Sequence, residues 1–391
     1  MGRRSDAVRA NRSSNNRDNS RRGGRNADHN TGRNTNGNGE RYNRSRSSQR
    51  QNVLPLKRRH RVLGGIAVIC AIFAVIGTSA RMLPSELQSL PYIPVIVAAT
   101  PWFALLALLA LILAVISRRW IAMLTAIACL GGQIWWQKPF FSASSSLQAN
   151  TTGAISATRA NTGDMTARVM TFNVYKGHAD PQAIVDVVSS QRVEILALQE
   201  TTDDFVDALN KAGIQSYLPY SQVSSSDGVY GNGLWSATPL AEPVDDEVNS
   251  SASFMPGGTV SFGGGKANIR FVSVHTTAPV PGYWRQWRRS LDELALMRSH
   301  TADQYVFMGD FNATVDHTPF RNFLGTRFAD ATMSSGHGFT FTWPTQKPPL
   351  PRFAGIDHVV IDQRIIAGQM QVMQIKGSDH AALLGTIEIE E

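Results

Sequence analysis

Apolar residues are unevenly distributed along the chain and divide it into regions of different character. Residues 1–61 contain almost no large apolar side chains. Three long apolar runs follow, at 62–80, 94–116 and 120–137. The first two are long enough to cross a bilayer as helices, and the third just reaches the required length. The pattern therefore predicts three transmembrane helices over residues 62–137.

Beyond the third run the pattern changes twice. Residues 138–166 are rich in Ser, Thr, Ala and Asn without periodicity, which predicts a linker. From residue 167 onwards, short β-rich runs alternate with segments of helical spacing, at 181–190, 202–211 and 284–301. The pattern indicates one α/β domain over 167–391, which it assigns to a two-layered sandwich. Strands are predicted at ARVMTFNV, VEILALQE, NGLWSA, NIRFVSVHTT, QYVFMGDFN, GIDHVVID and ALLGTIEIE.

Charge follows the same regional division. Residues 1–61 carry 17 Lys/Arg against 4 Asp/Glu, whereas residues 151–391 carry 17 against 25. A tail so rich in Arg, Asn, Ser and Gly cannot bury enough apolar surface to fold, so we expect it to be disordered. Its arginines are typical of a nucleic-acid-binding arm or of an electrostatic anchor on the cytoplasmic leaflet. The adjacent apolar runs favour the anchor.

Basic residues beside the apolar runs predict an orientation. Four of them, between positions 57 and 61, precede the first run, and Arg118 with Arg119 fills the link between the second and third runs. The positive-inside rule places both groups in the cytoplasm, so three spans carry the C-terminal domain outside. A cleavable signal peptide does not fit the first run, because the region before it is too long and two further runs follow. We therefore expect a multi-pass cell-membrane protein with an extracytoplasmic domain.

The C-terminal part lacks the signatures of several site classes. Cys70 and Cys129 are the only cysteines, and both lie in apolar runs. The C-terminal part therefore has no disulfide framework and no cysteine-based zinc site. It also has neither a Walker phosphate loop nor a nucleophile-elbow serine, which argues against a P-loop enzyme and against a serine hydrolase.

Polar residues follow the predicted strands in a repeated manner. Each lies where an apolar run ends, and any one of them alone reads as a cap or a strand-end turn. Together they place carboxylate, amide and imidazole groups along one rim of the domain. The set consists of Asn173, Glu200, His275, Asp310, Asn312, Asp357, His358, Asp379 and His380.

This set is chemically coherent. Glu200 with Asp379 or Asp310 offers the hard oxygen ligands that Mg²⁺ or Mn²⁺ prefers. Histidines beside aspartates can orient a base, and the amides of Asn173 and Asn312 can contact a phosphoryl oxygen or a water. These groups are suited to metal-assisted attack of water on phosphorus.

The motifs carrying these residues resemble those of the endonuclease/exonuclease/phosphatase superfamily, whose members include deoxyribonucleases, neutral sphingomyelinases and inositol-polyphosphate phosphatases. The resemblance covers residues 168–390 and implies a four-layered α/β/β/α sandwich in place of two layers. His358 departs from the pattern, since an aromatic residue is common at this position. The matching strings, in family order, are TFNV, ALQE, GNGLWS, VSVHTT, MGDFN, GIDHVV and SDHAAL.

The resemblance also implies a role for each residue. Glu200 is expected to be the principal metal ligand and Asp379 a second carboxylate on the metal side. Asp310 is expected to position or deprotonate the attacking water. The remaining expected roles are catalytic for His275 at the phosphate and for His380 oriented by Asp357, and substrate-binding for Asn173, Asn232 and Asn312.

Three functions remain open at this point. The membrane-bound arrangement resembles a bacterial branch that includes the teicoplanin-resistance membrane proteins, which implies a lipid-linked phosphate as substrate. An extracellular nuclease is the second choice, because the acidic domain lacks the basic footprint of nucleic-acid binding. A non-catalytic membrane receptor that keeps the fold is the third.

Two further segments carry no settled role. Residues 281–290, PGYWRQWRRS, interleave aromatics with arginines. They fit a headgroup-binding surface, a surface that stacks nucleic-acid bases, or an ordinary amphipathic helix with tryptophans in the core. Asp316 and His317 form an apparent pair, but no motif claims them, so we expect loop residues.

Overall fold

A computed structural model describes residues 56–148 and 163–390. Most of the predicted tail, up to residue 55, lies outside the described residues. So does the section 149–162 of the predicted linker, together with the final residue.

The predicted transmembrane region folds into helices. Their bounds are α1 Leu56–Arg81, α2 Ser85–Gln88, α3 Ile93–Ala98, α4 Thr100–Ser117 and α5 Trp120–Gln137. The predicted run 94–116 is thus divided by a turn at Ala99.

Only two helices of the described chain are long and apolar enough to cross a membrane, at Lys57–Arg81 and Thr100–Ser117. Helix α5 matches the predicted bounds but is less apolar than α4, since it contains Gln133 and Gln137. Three transmembrane helices are therefore not confirmed: two apolar helices could cross a membrane, and α5 is a helix of more polar composition.

These helices bury small residues and expose large ones. A cluster of buried alanines that includes Ala71, Ala114 and Ala126 lies where α1, α4 and α5 pack together. Large apolar side chains such as Ile69 and Leu105 are exposed. Only 33% of the first candidate span and 22% of the second is buried, so neither is the core helix of a globular domain. Close packing through small residues is typical of membrane helices.

The C-terminal domain is built on two mixed six-stranded sheets, with strand orders β11-β12-β1-β2-β4-β3 and β5-β6-β7-β8-β10-β9. Each sheet has one parallel pair at its centre, β1 with β2 and β7 with β8. The strands are β1 Thr166–Asn173, β2 Ile195–Gln199, β3 Tyr220–Ser224, β4 Asn232–Ser236, β5 Ala241–Val244, β6 Gly257–Phe262, β7 Ala267–His275, β8 Gln304–Asp310, β9 Ala329–Asp330, β10 Asp357–Ile361, β11 Ile365–Met373 and β12 Ala382–Ile389.

Helices cover the outer face of each sheet, and their spacing follows the predicted apolar patterns. They are α6 Pro181–Gln191, α7 Asp203–Lys211, α8 Trp284–Ala295, α9 Thr318–Leu324 and α10 Ala331–Ser335, with 3-10 turns at Lys138–Phe141, Ile214–Ser216 and Leu296–Ser299. The predicted helix 284–301 ends at Ala295 and continues as the last of these turns.

Three apolar cores separate the layers. Val169, Ile195 and Phe271 belong to a core between the two sheets. A second core joins the first sheet to α6 and α7, and a third joins the second sheet to α8 and α9. The layers are therefore α/β/β/α, as the resemblance implied. The two-layered prediction was wrong because alternation along a strand does not reveal how many sheets are stacked.

The first part of the predicted linker is packed rather than free. Phe140 enters the third core, the Ser144 N–H donates to the Ser334 carbonyl at 2.9 Å, and the Gln148 N–H donates to Glu388 Oε2 at 2.9 Å. The Ser-rich composition of this region hides the two phenylalanines, Phe140 and Phe141, which begin the docking.

Candidate active site

The polar residues at the strand ends converge on one edge of the paired sheets. Asn173 ends β1 and Glu200 follows β2, which runs parallel to it. His275 ends β7 opposite Asp310, the last residue of β8. Asp357 begins the antiparallel β10, also opposite Asp310. Parallel strands end at a common edge, which is why a pattern repeated along the sequence becomes a cluster in space.

Local backbone features orient three of the predicted site residues, Asp310, Glu200 and Asn312. A side chain at Gly309 would place its Cβ 1.8 Å from the Val274 carbonyl, so only glycine lets β7 and β8 approach before Asp310. Glu200 has a left-handed φ of 60° and Asn312 one of 46°. This conformation costs a non-glycine residue about 1–2 kcal/mol. Such strain is concentrated at functional sites, where the surrounding structure maintains it.

Asn173 bridges two carboxylates of the site. Its Nδ2 donates to Glu200 Oε1 at 3.1 Å and to Asp310 Oδ2 at 3.0 Å. Its Oδ1 accepts the Tyr175 N–H at 2.9 Å, and the Lys176 N–H donates to Glu200 Oε2 at 2.9 Å. Asn173 is therefore held by the backbone and fixes Glu200 and Asp310 around a common centre.

His380, Asp357 and Asp310 form a second unit. His380 Nδ1 lies 2.9 Å from Asp357 Oδ2, and Nε2 lies 3.6 Å from Asp310 Oδ2. Burial lowers the pKa of His380, but the charges of Asp357 and Asp310 outweigh burial and raise the pKa to about 10. Burial raises the pKa of Asp310 to about 6, while the charge of His380 opposes the rise and that of Asp357 adds to it. This geometry gives an imidazolium oriented by one aspartate and facing another.

His275 approaches the same centre from β7. Its Nδ1 donates to the Val229 carbonyl at 3.0 Å, which leaves Nε2 facing the site. That nitrogen lies 3.8 Å from Asp310 Oδ2 and 3.9 Å from Glu200 Oε1. The structure thus brings Asn173, Glu200, His275, Asp310, Asp357 and His380 together.

The other three predicted site residues, Asn232, Asn312 and Asp379, each bind a residue outside this group of six. The Asn232 amide nitrogen donates to Ser253 Oγ at 3.2 Å, while its buried Oδ1 has no hydrogen-bond partner among the described residues. The Asn312 amide nitrogen donates to the Thr276 carbonyl at 2.9 Å. Asp379 pairs with Lys347 at 3.1 Å and lies 4.0 Å from His380 Nε2.

The site suits a divalent cation. Ligand atoms of Asp310, Asp357 and His380 lie within 4.8 Å of one another and could hold a metal ion, although His380 and Asp357 are already hydrogen-bonded to each other. The buried Asp357 Oδ1 has no partner, and within the described chain no Arg or Lys side chain pairs with Asp310, Glu200 or Asp357. A buried group of three carboxylates, whose only protein cation among the described residues is the His380 imidazolium, is chemically suited to a bound divalent cation.

Two residues of the site's support were not predicted. Ser378 Oγ donates to the Asn173 carbonyl at 2.7 Å and accepts the His380 N–H at 3.0 Å, so it ties β1 to the His380 loop. Lys347, which forms a salt bridge with Asp379, was not predicted either. Ser378 lies within the matched string SDHAAL, which was the available signal. Nothing in the sequence points to Lys347.

His358 turns away from the site. Its Nδ1 lies 2.7 Å from Asp330 Oδ2, and its Nε2 lies 2.8 Å from the Ala313 carbonyl. Both nitrogens face acceptors, so the ring is an imidazolium. Burial lowers the pKa of His358, but the hydrogen bond and charge of Asp330 outweigh burial and raise the pKa above its ordinary value. Asp357 and His358 are therefore neighbours in sequence with separate tasks.

The segment 281–290 is the start of the amphipathic helix α8. Trp287 is fully buried in the third core, whereas Arg289 is 70% exposed. Trp284 packs against Tyr92 with ring centroids 5.5 Å apart. The interpretation of an ordinary amphipathic helix accounts for Trp287.

Several solved structures are similar to this chain. One is an endonuclease/exonuclease/phosphatase family protein from Leptotrichia buccalis, with 16% identity and a TM-score of 0.46, covering 57% of this chain and 100% of its own. Another is TDP2 from D. rerio complexed with a single-strand DNA product, with 15% identity, a TM-score of 0.47 and coverages of 57% and 100%. A mannosyl-6-phosphatase from Bacteroides thetaiotaomicron has 13% identity, a TM-score of 0.44 and the same coverages.

No curated protein matches the chain. A family model does, and it is described as the Endonuclease/Exonuclease/phosphatase family, with a match over residues 170–380. Those residues contain the site described above and make up more than half of the chain. This chain therefore belongs to the endonuclease/exonuclease/phosphatase family and is a hydrolase of phosphate ester bonds.

Proposed function

We propose that this protein is a membrane-anchored, divalent-metal-dependent hydrolase of phosphoric ester or pyrophosphate bonds, acting outside the cytoplasm on a lipid-linked phosphate. In this proposal α1, α4 and α5 all cross the membrane, the N-terminus is cytoplasmic, and the domain faces outwards. The protein would then belong to the membrane-bound branch that includes the teicoplanin-resistance membrane proteins.

The observation that carries the proposal is the position of the site's rim beside a membrane helix. The chain between the bridged residues Trp343 and Ala354 forms a loop, which we call the rim loop. At one end, Trp102 Nε1 from the beginning of α4 donates to the Phe353 carbonyl at 3.0 Å. At the other, Lys347 pairs with Asp379 of the site. Tryptophan at a helix end marks the headgroup level, so the rim loop would lie where a lipid phosphate lies.

The rim loop also has a suitable surface. Residues 346–352, QKPPLPR, are all exposed, and Leu350 is 50% exposed. They carry two positive charges and no negative one. An exposed apolar side chain between cations is suited to a membrane surface with anionic headgroups.

The site residues supply the acid–base chemistry. With a pKa of about 6, Asp310 is ionised at neutral pH and can accept a proton from the attacking water. His380, held through Nδ1 by Asp357, presents Nε2–H to the charge that develops on the phosphoryl oxygens. His275 Nε2 faces the same centre, and the unpartnered Asn232 Oδ1 can accept a hydrogen bond from the substrate.

A divalent cation would add electrostatic stabilisation of the phosphate oxygens, and Mg²⁺ or Mn²⁺ fits the oxygen-rich donor set. Glu200 is the proposed principal ligand, since Asn173 and the Lys176 N–H hold its carboxylate in place. Asp379 is proposed as a second carboxylate, which has to share its charge with Lys347.

A hydrolysis screen of the full-length protein in lipid nanodiscs tests the proposal. Phosphate release is measured from a prenyl pyrophosphate and from phosphatidic acid, and strand cleavage of plasmid DNA is measured on a gel, each with Mg²⁺ or EDTA. We expect Mg²⁺-dependent phosphate release from a lipid substrate, lost in Asp310→Asn and kept in the exposed control Asp204→Asn. Degradation of DNA without lipid turnover would favour a nuclease, and full activity of the double variant Glu200→Ala with His380→Ala would contradict the proposed site.

Proteolysis of intact cells tests the proposed orientation of the domain. A domain that is protected from the protease would contradict its placement outside the cytoplasm.

A further inference from the structure

The segment that joins α1 to α4 packs against the domain next to the candidate site. We call residues 81–98 the docking loop and residues 311–318, which directly follow Asp310, the catalytic-loop extension. Every residue from Phe311 to His317 except Asn312 is buried, and residues 316–318 contact the docking loop. The two segments are more than 200 positions apart in sequence.

Polar contacts between them are dense. Arg81 Nε donates to Asp316 Oδ1 at 2.6 Å. The Thr318 N–H donates to Gln88 Oε1 at 2.7 Å, and Thr318 Oγ1 donates to the Leu83 carbonyl at 2.8 Å. His317 Nε2 donates to the Pro94 carbonyl at 2.9 Å. These are the contacts of a folded interior rather than of two surfaces that meet in passing.

The Arg81–Asp316 pair is largely shielded from water. The side chains are 14% and 6% exposed. A second arginine, Arg321, donates from Nη2 to the Arg81 carbonyl at 3.0 Å and from Nη1 to the Asp316 carbonyl. Removal of one partner from such a buried pair leaves an uncompensated charge, which is far more costly than loss of an exposed pair.

Separate hydrogen bonds fix the chain at several points between this pair and the candidate site. The Asn312 N–H donates to Asp310 Oδ1 at 2.8 Å, and the Asn312 carbonyl accepts Trp287 Nε1 at 2.9 Å. Two residues on, the Thr314 N–H donates to His317 Nδ1 at 2.8 Å. The catalytic-loop extension is thus fixed at the Asp310 end by the domain and at the Asp316 end by the docking loop.

We propose that the docking loop is a structural part of the active site, with Arg81 and Gln88 as positioning residues for Asp310 and Asn312. They act by holding the far end of the catalytic-loop extension, so that Asn312 keeps its left-handed backbone and the Asp310 carboxylate keeps its N–H donor. The membrane-helix region is then a component of the catalytic unit. The proposal rests on the proposed function only for the roles given to Asp310 and Asn312.

The test is hydrogen–deuterium exchange of the full-length protein in detergent micelles, comparing wild type with Arg81→Gln. We expect exchange in peptides covering 309–318 to become at least tenfold faster, while the sheet cores keep their protection. The matched control is Glu86→Gln, because Glu86 and Arg288 form an exposed pair at 3.2 Å between the docking loop and α8. Unchanged exchange at 309–318 in Arg81→Gln, or an equal rise in Glu86→Gln, would overturn the proposal.

A second readout separates positioning from mere stabilisation. Mn²⁺ affinity and hydrolysis of bis(4-nitrophenyl) phosphate are measured well below each variant's melting temperature. We expect Arg81→Gln to weaken Mn²⁺ binding or lower kcat at least tenfold, and Arg81→Gln with Asp316→Asn to recover part of the loss, since Gln and Asn can hydrogen-bond. Faster exchange without any change in either measurement would show a structural contact that does not position the site. If the wild-type protein does not hydrolyse the substrate, this result counts against the proposed function. The hydrogen–deuterium exchange then decides the inference about the docking loop.

Discussion

Asp310 at the end of β8 and Asp316 in the catalytic-loop extension that follows it are both buried but have different electrostatic surroundings. Asp316 has an arginine, Arg81, at 2.6 Å and a second, Arg321, at its backbone. Asp310 faces two histidines and the amide of Asn173, and no Arg or Lys of the described chain pairs with it. A buried carboxylate that stabilises the fold, such as Asp316, is paired with an arginine. A carboxylate available to a metal ion or a substrate, such as Asp310, has no Arg or Lys partner among the described residues.

Energetics make this difference useful. Burial of an ion pair adds little net stability, but removal of one partner is strongly destabilising. Burial and the charge of Asp357 raise the pKa of Asp310 even though the charge of His380 opposes the rise, so the ionised Asp310 is already unfavourable in the fold and its neutralisation can leave stability unchanged.

The largest effect is expected for Asp310→Asn. The amide cannot accept a proton from water, so hydrolysis should fall about 10²–10⁴-fold. Because the substitution also removes a buried charge next to Asp357, thermal stability should be retained or increased. Activity and melting temperature of the same preparation check both parts, and a destabilised but active variant would reverse the assignment of Asp310.

Asp316→Ala is expected to show the opposite balance. It leaves Arg81 buried without its partner, and the free energy of unfolding should fall by about 3–5 kcal/mol. Denaturant titration in micelles measures the loss. Glu86→Ala at the exposed pair is the control, and a change of about 0–1 kcal/mol is expected there. Equal losses for the two variants would mean that burial of the Asp316 pair has no special weight.

His358→Phe restores the aromatic residue common in the family. The ring can stay near Phe320, whose centroid lies 4.5 Å away, but Asp330 loses its partner. We expect a loss of about 1–3 kcal/mol in stability, with a smaller effect on hydrolysis. The double variant with Asp330→Asn should recover part of the loss, and a more stable single variant would show that the His358–Asp330 pair is dispensable.

The last prediction concerns pH, and its effect is absent at neutral pH. Burial lowers the pKa of His317 from 6.5 to about 4, although hydrogen bonds to Pro94 and Thr314 oppose this. Between these values the unfolded chain binds a proton that the folded protein does not. Stability present at neutral pH is therefore lost as the pH falls from 6.5 towards 4, by about 1.4 kcal/mol per unit at most. Melting curves of wild type and His317→Gln should diverge in this window, and parallel curves would contradict the prediction.

Much of the candidate site follows from local sequence. Asn173, Glu200, His275 and Asp310 each interrupt an apolar run, and parallel pairing in β1–β2 and β7–β8 brings such interruptions to one edge. The order and residues of the motifs predicted the four layers of the fold, which the alternation of apolar and polar residues did not reveal.

The parts that could not be predicted depend on distant partners. Asp316 finds Arg81 across 235 positions, and Lys347 finds Asp379 across 32. Asp316 and His317 are adjacent in sequence, as are Asp357 and His358, but the members of each pair contact different partners. Adjacency on a loop or at a strand end does not determine side-chain direction, so the sequence alone cannot assign these partners.

The docked segment Lys138–Gln148 has a consequence for substrate selection. A flexible tether would let the domain sample many heights above the ends of the helices. Here the chain after α5 is fixed on the domain through Phe140 and Ser144, and the docking loop is fixed through Arg81. These contacts fix the distance between the candidate active site and the ends of the helices. For a membrane-borne substrate, we expect the distance from the acyl chain to the scissile phosphate to matter as much as the chemistry of the headgroup.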